Sequence, residues 1–250
     1  MNKDEQLIQK RMKDLAYQAD SKGYTTFTDF LNLNEMNILY SSLKELPPVK
    51  YLLWGGYEEA ERKVLSFYTD TISTEEFDII ILEIKPMNQK FSDELSHRDY
   101  LGAILNLGID RSKLGDILIK DNVGYVFTNQ VIGNYIIEHL TKIKHTNVTC
   151  CMCMHGDIDI KPTFKEIKGS ISSIRLDAII ALAFQTSRSS MTGLISGGKV
   201  FVNGKLIQSN SYVLKEGDIV SVRGHGRFIF QGITNQTKKG RLFAMVSKYI

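Results

Sequence analysis

The chain has 250 residues, 43% of them hydrophobic and 24% charged, which is enough to fill two or three small cores. No run of about 18 apolar residues occurs, which excludes a membrane-spanning helix, and the three cysteines all fall within 150–153, which argues against a disulfide-stapled secreted scaffold. The net charge of +3 hides an asymmetry: residues 1–171 carry 20 Lys/Arg against 25 Asp/Glu, and residues 172–250 carry 11 against 3, so a −5 part precedes a +8 part.

The opening segment, MNKDEQLIQKRMKDLAYQAD, lacks the apolar core of a signal peptide and predicts a cytoplasmic protein. Its Leu7, Ile8, Met12, Leu15 and Ala19 have the spacing of an amphipathic helix. A short second helix is expected around Phe27–Leu31 and a third from Glu35 to Leu46, stopped by Pro47-Pro48 because proline cannot continue a helix. Val49–Trp54 reads as a strand, Gly55-Gly56 as a turn, and Arg62–Tyr68 as a returning strand, with one helical turn over EEAERK as the alternative. These elements make a first α/β domain over residues 1–73.

Residues 74–160 have the order β-α-β-β-α-β. Phe77–Ile84 is a buried strand and Arg98–Leu107 a helix; Asp116–Ile119 and Gly124–Thr128 are strands joined at Asp121-Asn122. Asn129–Ile143 is an amphipathic helix and Val148–Met154 a final strand. This is the split arrangement of ferredoxin-like folds, which RNA-recognition motifs share, although the aromatic signature of those motifs is absent.

Within it, His97-Arg98-Asp99 is not a kinase catalytic loop, since Ile104 stands where an asparagine is required and no Gly-rich phosphate loop occurs. Asp99 suits a helix start. Arg98, Arg111 and Lys113 are either a second RNA-contacting patch or solvated cations. In CCMCMH, alternation puts Cys151, Cys153 and His155 on one face, but no second Cys/His pair supplies a fourth metal ligand. Buried, unreactive cysteines are expected, with no metal and no cofactor. No GxSxG elbow, Walker loop or Ser/His/Asp order supports a hydrolase or nucleotide-binding reading.

The basic third reads as two short helices, Arg175–Ala183 and Ser187–Ile195, the second capped by Ser187 and stopped by Gly197-Gly198. Val200–Val202, an Asn203-Gly204 hairpin turn and Lys205 follow, then Gly217-Asp218 turning into Ile219–Val222. Two helices on a small basic sheet suit a nucleic-acid-binding module. Arg223, His225 and Arg227 alternate with Gly224 and Gly226, where the backbone can approach RNA closely.

RLD at the first helix, SR opening the second, a glycine-ended helix, VNG and LKEGDIVSV resemble the S4 RNA-binding domain. That resemblance implies binding to structured RNA through a face carrying Arg175, Ser187, Arg188, Ser189, Lys199, Asn203 and Lys205, with Arg223 and Arg227 nearby. The S4 domain is placed at 172–232, with 233–250 as a strand or tail extension. WGGYEEAER, FDIIILEIKP, HRDYLGAILNLGIDRSKLGDI, SRSSMTGLISGGKVFVNGK, GDIVSVRGHGRF and TKKGRL, in this order, resemble the YlmH family of S4-domain proteins. The fold expected is therefore α+β: an N-terminal α/β domain, a central ferredoxin-like domain and a C-terminal S4 domain.

The YlmH resemblance further implies a non-catalytic protein that binds rRNA and tRNA on the large ribosomal subunit, in quality control of stalled nascent chains. Partners would be those RNAs and quality-control or cell-division proteins. Two alternatives stay open. One is a cell-division scaffold using the acidic domains as docking surfaces. The other is an RNA-modifying enzyme of pseudouridine synthase type, against which residues 1–170 show no synthase motif and Asp177 belongs to the S4 helix.

Overall fold

The computed structural model describes residues 3–153, 164–236 and 240–249. The chain divides into two compact units, Met1–Lys161 and Pro162–Ile250, and the fold is mixed α+β in both.

The first unit opens with α1 (Lys3–Lys22), which buries Met12, Ala16 and Ala19, one stripe at helical spacing. The segment Phe27–Leu31, expected as a helix, belongs to strand β1 (Thr26–Leu31). Its TFTDFL is rich in threonine and phenylalanine, which suit a pleated surface, and antiparallel pairing with β3 (Lys63–Tyr68) decides the matter. Between them lie α2 (Leu33–Ser42) and β2 (Lys50–Trp54). Asn32 caps α2 by accepting from the Asn34 and Glu35 backbone, while Glu35 accepts from the Asn32 N–H, so the orphan donors of the first turn are met reciprocally. The small sheet runs β1-β3-β2, with Met12, Leu39, Leu65 and Phe67 in its core.

A five-stranded antiparallel sheet follows: β4 (Ile79–Pro86), β5 (Leu114–Lys120), β6 (Val123–Asn129), β7 (Lys142–Ile143) and β8 (Thr146–Cys153), in the order β5-β6-β4-β8-β7. With α3 (His97–Leu105) and α4 (Gln130–His139) it has the ferredoxin-like arrangement. Helix α4 ends earlier than its amphipathic pattern predicts, because Lys142-Ile143 turns back to pair with Thr146-Asn147 around Lys144 at positive φ. Leu82, Ile84, Tyr100, Ile104, Val126 and Ile136 fill the space between this sheet and its helices.

Helix α3 begins on a reciprocal cap. Asp99 accepts from the Ser96 N–H (2.8 Å) and hydroxyl (2.6 Å) and lies 2.7 Å from the Lys144 ammonium. The Lys144 bond foremost, then those from Ser96, hold the Asp99 carboxyl down at about 2. A depressed folded-state value stabilises only above the unfolded one, so this contribution is complete above 3.8 and is lost as pH falls toward 2. An NMR titration should place the Asp99 midpoint near 2, and Lys144→Ala should raise it; a midpoint at the ordinary carboxylate value would show the cap is not formed in solution.

The other face of this sheet is closed at one end by the N-terminal domain. Ile79, Ile81 and Phe127 pack with Phe30, Val64 and Phe77, flanked by Phe27, Trp54 and Tyr57. The WGGYEEAER motif makes this junction. Asp116 on β5 accepts from the Tyr57 hydroxyl (2.7 Å), the Glu61 N–H (2.7 Å) and the Arg62 N–H (3.1 Å). The Arg62 guanidinium donates to the carbonyls of Leu114 (2.8 Å) and Phe30 (2.8 Å). At Gly56, with φ +99, a Cβ would lie 2.5 Å from the Phe127 ring, so only glycine lets the turn approach.

The second unit is a six-stranded antiparallel sheet, with α5 (Leu176–Phe184) and α6 (Arg188–Ser196) on one face. Its strands are β9 (Phe164–Ile171), β10 (Val200–Val202), β11 (Lys205–Leu206), β12 (Ile219–Val222), β13 (Gly226–Gln236) and β14 (Leu242–Tyr249), in the order β11-β10-β12-β13-β14-β9. Leu176, Ile179, Ile195, Val200, Val220, Phe228 and Val246 make the helix-side core. The Asn203-Gly204 turn has φ of 48° and 77°, the two left-handed residues of a tight hairpin. Strand β9 lies ahead of the expected S4 boundary, and β14, in the expected tail, pairs with it along its full length. Lys238 and Lys239 lie outside the described residues.

Candidate nucleic-acid interface

The start of α5 is fixed by the loop 210–212, whose Tyr212 and Asn210 carbonyls accept the Leu176 and Asp177 N–H groups. That leaves the Asp177 side chain pointing along the helix end, buried. Its carboxylate accepts two bonds from Arg175 (Nε at 3.1 Å, Nη2 at 3.2 Å) and one from Arg188 Nη2 at 2.8 Å. One carboxylate thus holds two arginines from two helix starts side by side. Burial alone would push the Asp177 carboxyl up; the bonds from Arg175 and Arg188 outweigh it and hold the carboxyl below its ordinary value. Both guanidinium groups stay substantially exposed, so each keeps N–H donors turned to solvent. The cluster carries a net single positive charge in a fixed geometry.

Beside it, Ser187 caps α6: its Oγ accepts from the Ser190 N–H and lies 3.0 Å from Ser189 Oγ. Exposed hydroxyls and the positive end of a helix here adjoin the two arginines, which is the environment a phosphate takes. Lys199 and Lys205 are exposed farther along the same module. Asn203 differs: its amide donates to Asp218 (2.8 Å) and accepts from the Ile219 N–H (2.9 Å), so it locks the hairpin. Arg223 and Arg227 lie over the rings of Phe201 and Tyr249, at 4.8 and 5.1 Å from their centroids.

The structure redraws the patch expected in the central domain. Arg111 donates to the Leu114 and Gly115 carbonyls and so braces the start of β5 locally, while Lys113 pairs with Asp29 at 2.7 Å across the junction of the first two domains. Arg98 is exposed and shares a groove with His139, Lys142 and Lys144. The cysteines split by strand alternation: Cys150 turns to the helix side, where burial pushes its thiol up to about 11, and Cys151 and Cys153 turn to the other face. Among the described residues no group of three His, Cys, Asp or Glu could hold a metal, and His155 lies outside them.

Three family models match the chain in order. Residues 5–72 match "YlmH, N-terminal", 73–155 match "Putative RNA-binding domain in YlmH", and 174–220 match "S4 domain". Over 218 residues the chain is 32% identical to "Ribosome-associated protein quality control protein P2" of Bacillus subtilis (strain 168), covering 86% of this chain and 83% of that protein.

The chain belongs to the YlmH family.

In fold, this YlmH chain is similar to "Cell division protein ylmH from Streptococcus pneumoniae", with a TM-score of 0.54 and 17% identity over 64% of this chain and 97% of that one. The YlmH-like motifs now have separate physical accounts. WGGYEEAER and the Asp116 segment hold two domains together, while RLD and SR build the arginine pair. Asp177 is the site residue that the YlmH sequence alone conceals. An aspartate in the first turn of an apolar helix reads as dipole complement, and only the return of Arg188, eleven residues on, gives it a second arginine.

Proposed function

We propose that this YlmH-family chain is a non-catalytic RNA-binding factor that docks its S4 domain, about residues 172–232, onto rRNA and tRNA at the large ribosomal subunit, in quality control of stalled nascent chains. The observation that carries the reading is the Asp177-held pair Arg175 and Arg188 at the capped start of α6. Two planar forks held side by side can each bridge phosphate oxygens or stack on a base, which suits a folded RNA junction. Lys199 and Lys205 add phosphate contacts, and Ser187 and Ser189 line the same helix end. The name of the Bacillus subtilis relative supports the ribosomal setting. The chemistry is left to the ribosome and partner factors, since these residues bind charge and offer no nucleophile aligned with a base.

Crosslinking to RNA in cells tests the reading. The full chain should recover large-subunit rRNA and tRNA, and Arg188→Ala with Lys199→Ala should lose them. In vitro, the double variant should flatten the dependence of log K on log salt by about two. Recovery unchanged by the two substitutions would overturn the S4-face mechanism. The name of the Streptococcus pneumoniae neighbour favours a second reading, a cell-division scaffold; a division-protein interaction that survives Arg188→Ala would support it.

A further inference from the structure

The sheet of the second unit has a face away from α5 and α6, and one row of residues crosses it. Cross-strand register pairs Leu206 with Phe201, Phe201 with Ser221, Ser221 with Arg227, and Tyr249 with Phe164. The Phe228–Lys248 pair sets Arg227 opposite Tyr249 and completes the row. Residues directly opposite share a face, and their neighbours Val200, Val220 and Phe228 point into the helix-side core, so the whole row points the other way. Two cations lie over its rings: Arg223 over Phe201 and Arg227 over Tyr249, whose ring meets that of Phe164 edge-on at 4.8 Å. Phe164 and Leu206 are 40% and 44% exposed.

We infer that this row is a second RNA contact, a stacking platform for a single-stranded segment, distinct from the helix-end site that reads folded RNA. Four strand spacings separate Phe201 from Phe164, about 19 Å, which is room for a few splayed nucleotides. Aromatic faces accept any base, and guanidinium groups beside them take the phosphates, so sequence preference is weak. Charge complementarity selects this occupant over an acidic or apolar partner protein. Of the 11 Lys/Arg in residues 172–250, Arg223 and Arg227 lie here over rings, and the carboxylate of Glu166 on the same face is already paired with Lys168 at 3.0 Å.

The test uses the full chain and a fluorescein-labelled oligouridylate of about a dozen nucleotides, with a tRNA transcript in parallel. Phe164→Leu with Tyr249→Leu keeps apolar bulk and removes the π faces. It should weaken oligouridylate binding about tenfold or more while leaving the melting temperature and tRNA affinity in place. Phe164→Tyr with Tyr249→Phe should restore it. Wild-type chain that fails to bind the oligonucleotide, or leucine variants that bind it as well, would overturn the platform. So would unchanged RNA binding with loss of a dimer in sedimentation, which would make the row a self-association face. Loss of oligouridylate binding in a chain that never bound tRNA would sink the helix-end reading and leave the platform standing.

Discussion

Asp116→Ala should cost the first unit about 3–5 kcal/mol, read as a fall in its urea midpoint with little change in slope. Three donors converge on this carboxylate, and all three would lose their acceptor at once. The loss extends to Arg62. Burial pulls the Arg62 guanidinium below its ordinary value, and the charges of Glu35 and Asp116 work against that pull. Removing Asp116 leaves a mostly buried cation with one compensating carboxylate fewer. Lys113→Ala is the contrast: it breaks a half-exposed pair with Asp29 at the same junction and should cost at most about 1 kcal/mol. Equal costs for the two variants would mean that Asp116 does not organise the junction.

Asp177→Asn should lower affinity for folded RNA about tenfold and leave the salt dependence unchanged, because both arginines remain but are no longer held together. A simple charge argument gives the opposite sign: removing a carboxylate raises the local positive charge and should tighten binding. Measuring the dissociation constant of a tRNA transcript across salt concentrations separates the two. Affinity that rises would show that Asp177 serves the fold alone and does not position the arginines. The same bonds carry a pH dependence. Since the folded-state carboxyl lies below its unfolded value of 3.8, their stabilisation is present above 3.8 and is lost as pH falls through the folded value.

Much of this was legible where local chemistry decides the structure. Ser187 caps a helix and Asn203-Gly204 makes a hairpin because those residues carry their own conformational preference. The β-α-β-β-α-β order of the central domain followed from hydrophobic period alone. Legibility failed where a partner distant in sequence decides. Thr26–Leu31 is too short for its pattern to separate helix from strand, and β3, more than 30 residues on, settles it. Strand β9 is hidden in the sequence because FKEIKGSI has few apolar residues; its place comes from β14. Lys113 reads from sequence as either an RNA-contacting or a solvated cation, and its pairing with Asp29, 84 residues away, depends on the tertiary fold.

The pairing of β9 with β14 also sets an order of events. Partner residues in that ladder are 71 to 85 positions apart in the chain, and β14 sits inside the sheet between β13 and β9. A growing chain therefore makes β9, both helices and four further strands before the strand that joins them exists. Closing so long a loop costs chain entropy before the pairing repays it, which slows this step. Until then two strand edges stand open, the condition that invites pairing with other chains. Copies that stop short of Leu242 keep Arg175, Arg188 and the Asp177 that holds them, while the edge of β13 and the edge of β9 that β14 would cover stay open to other chains.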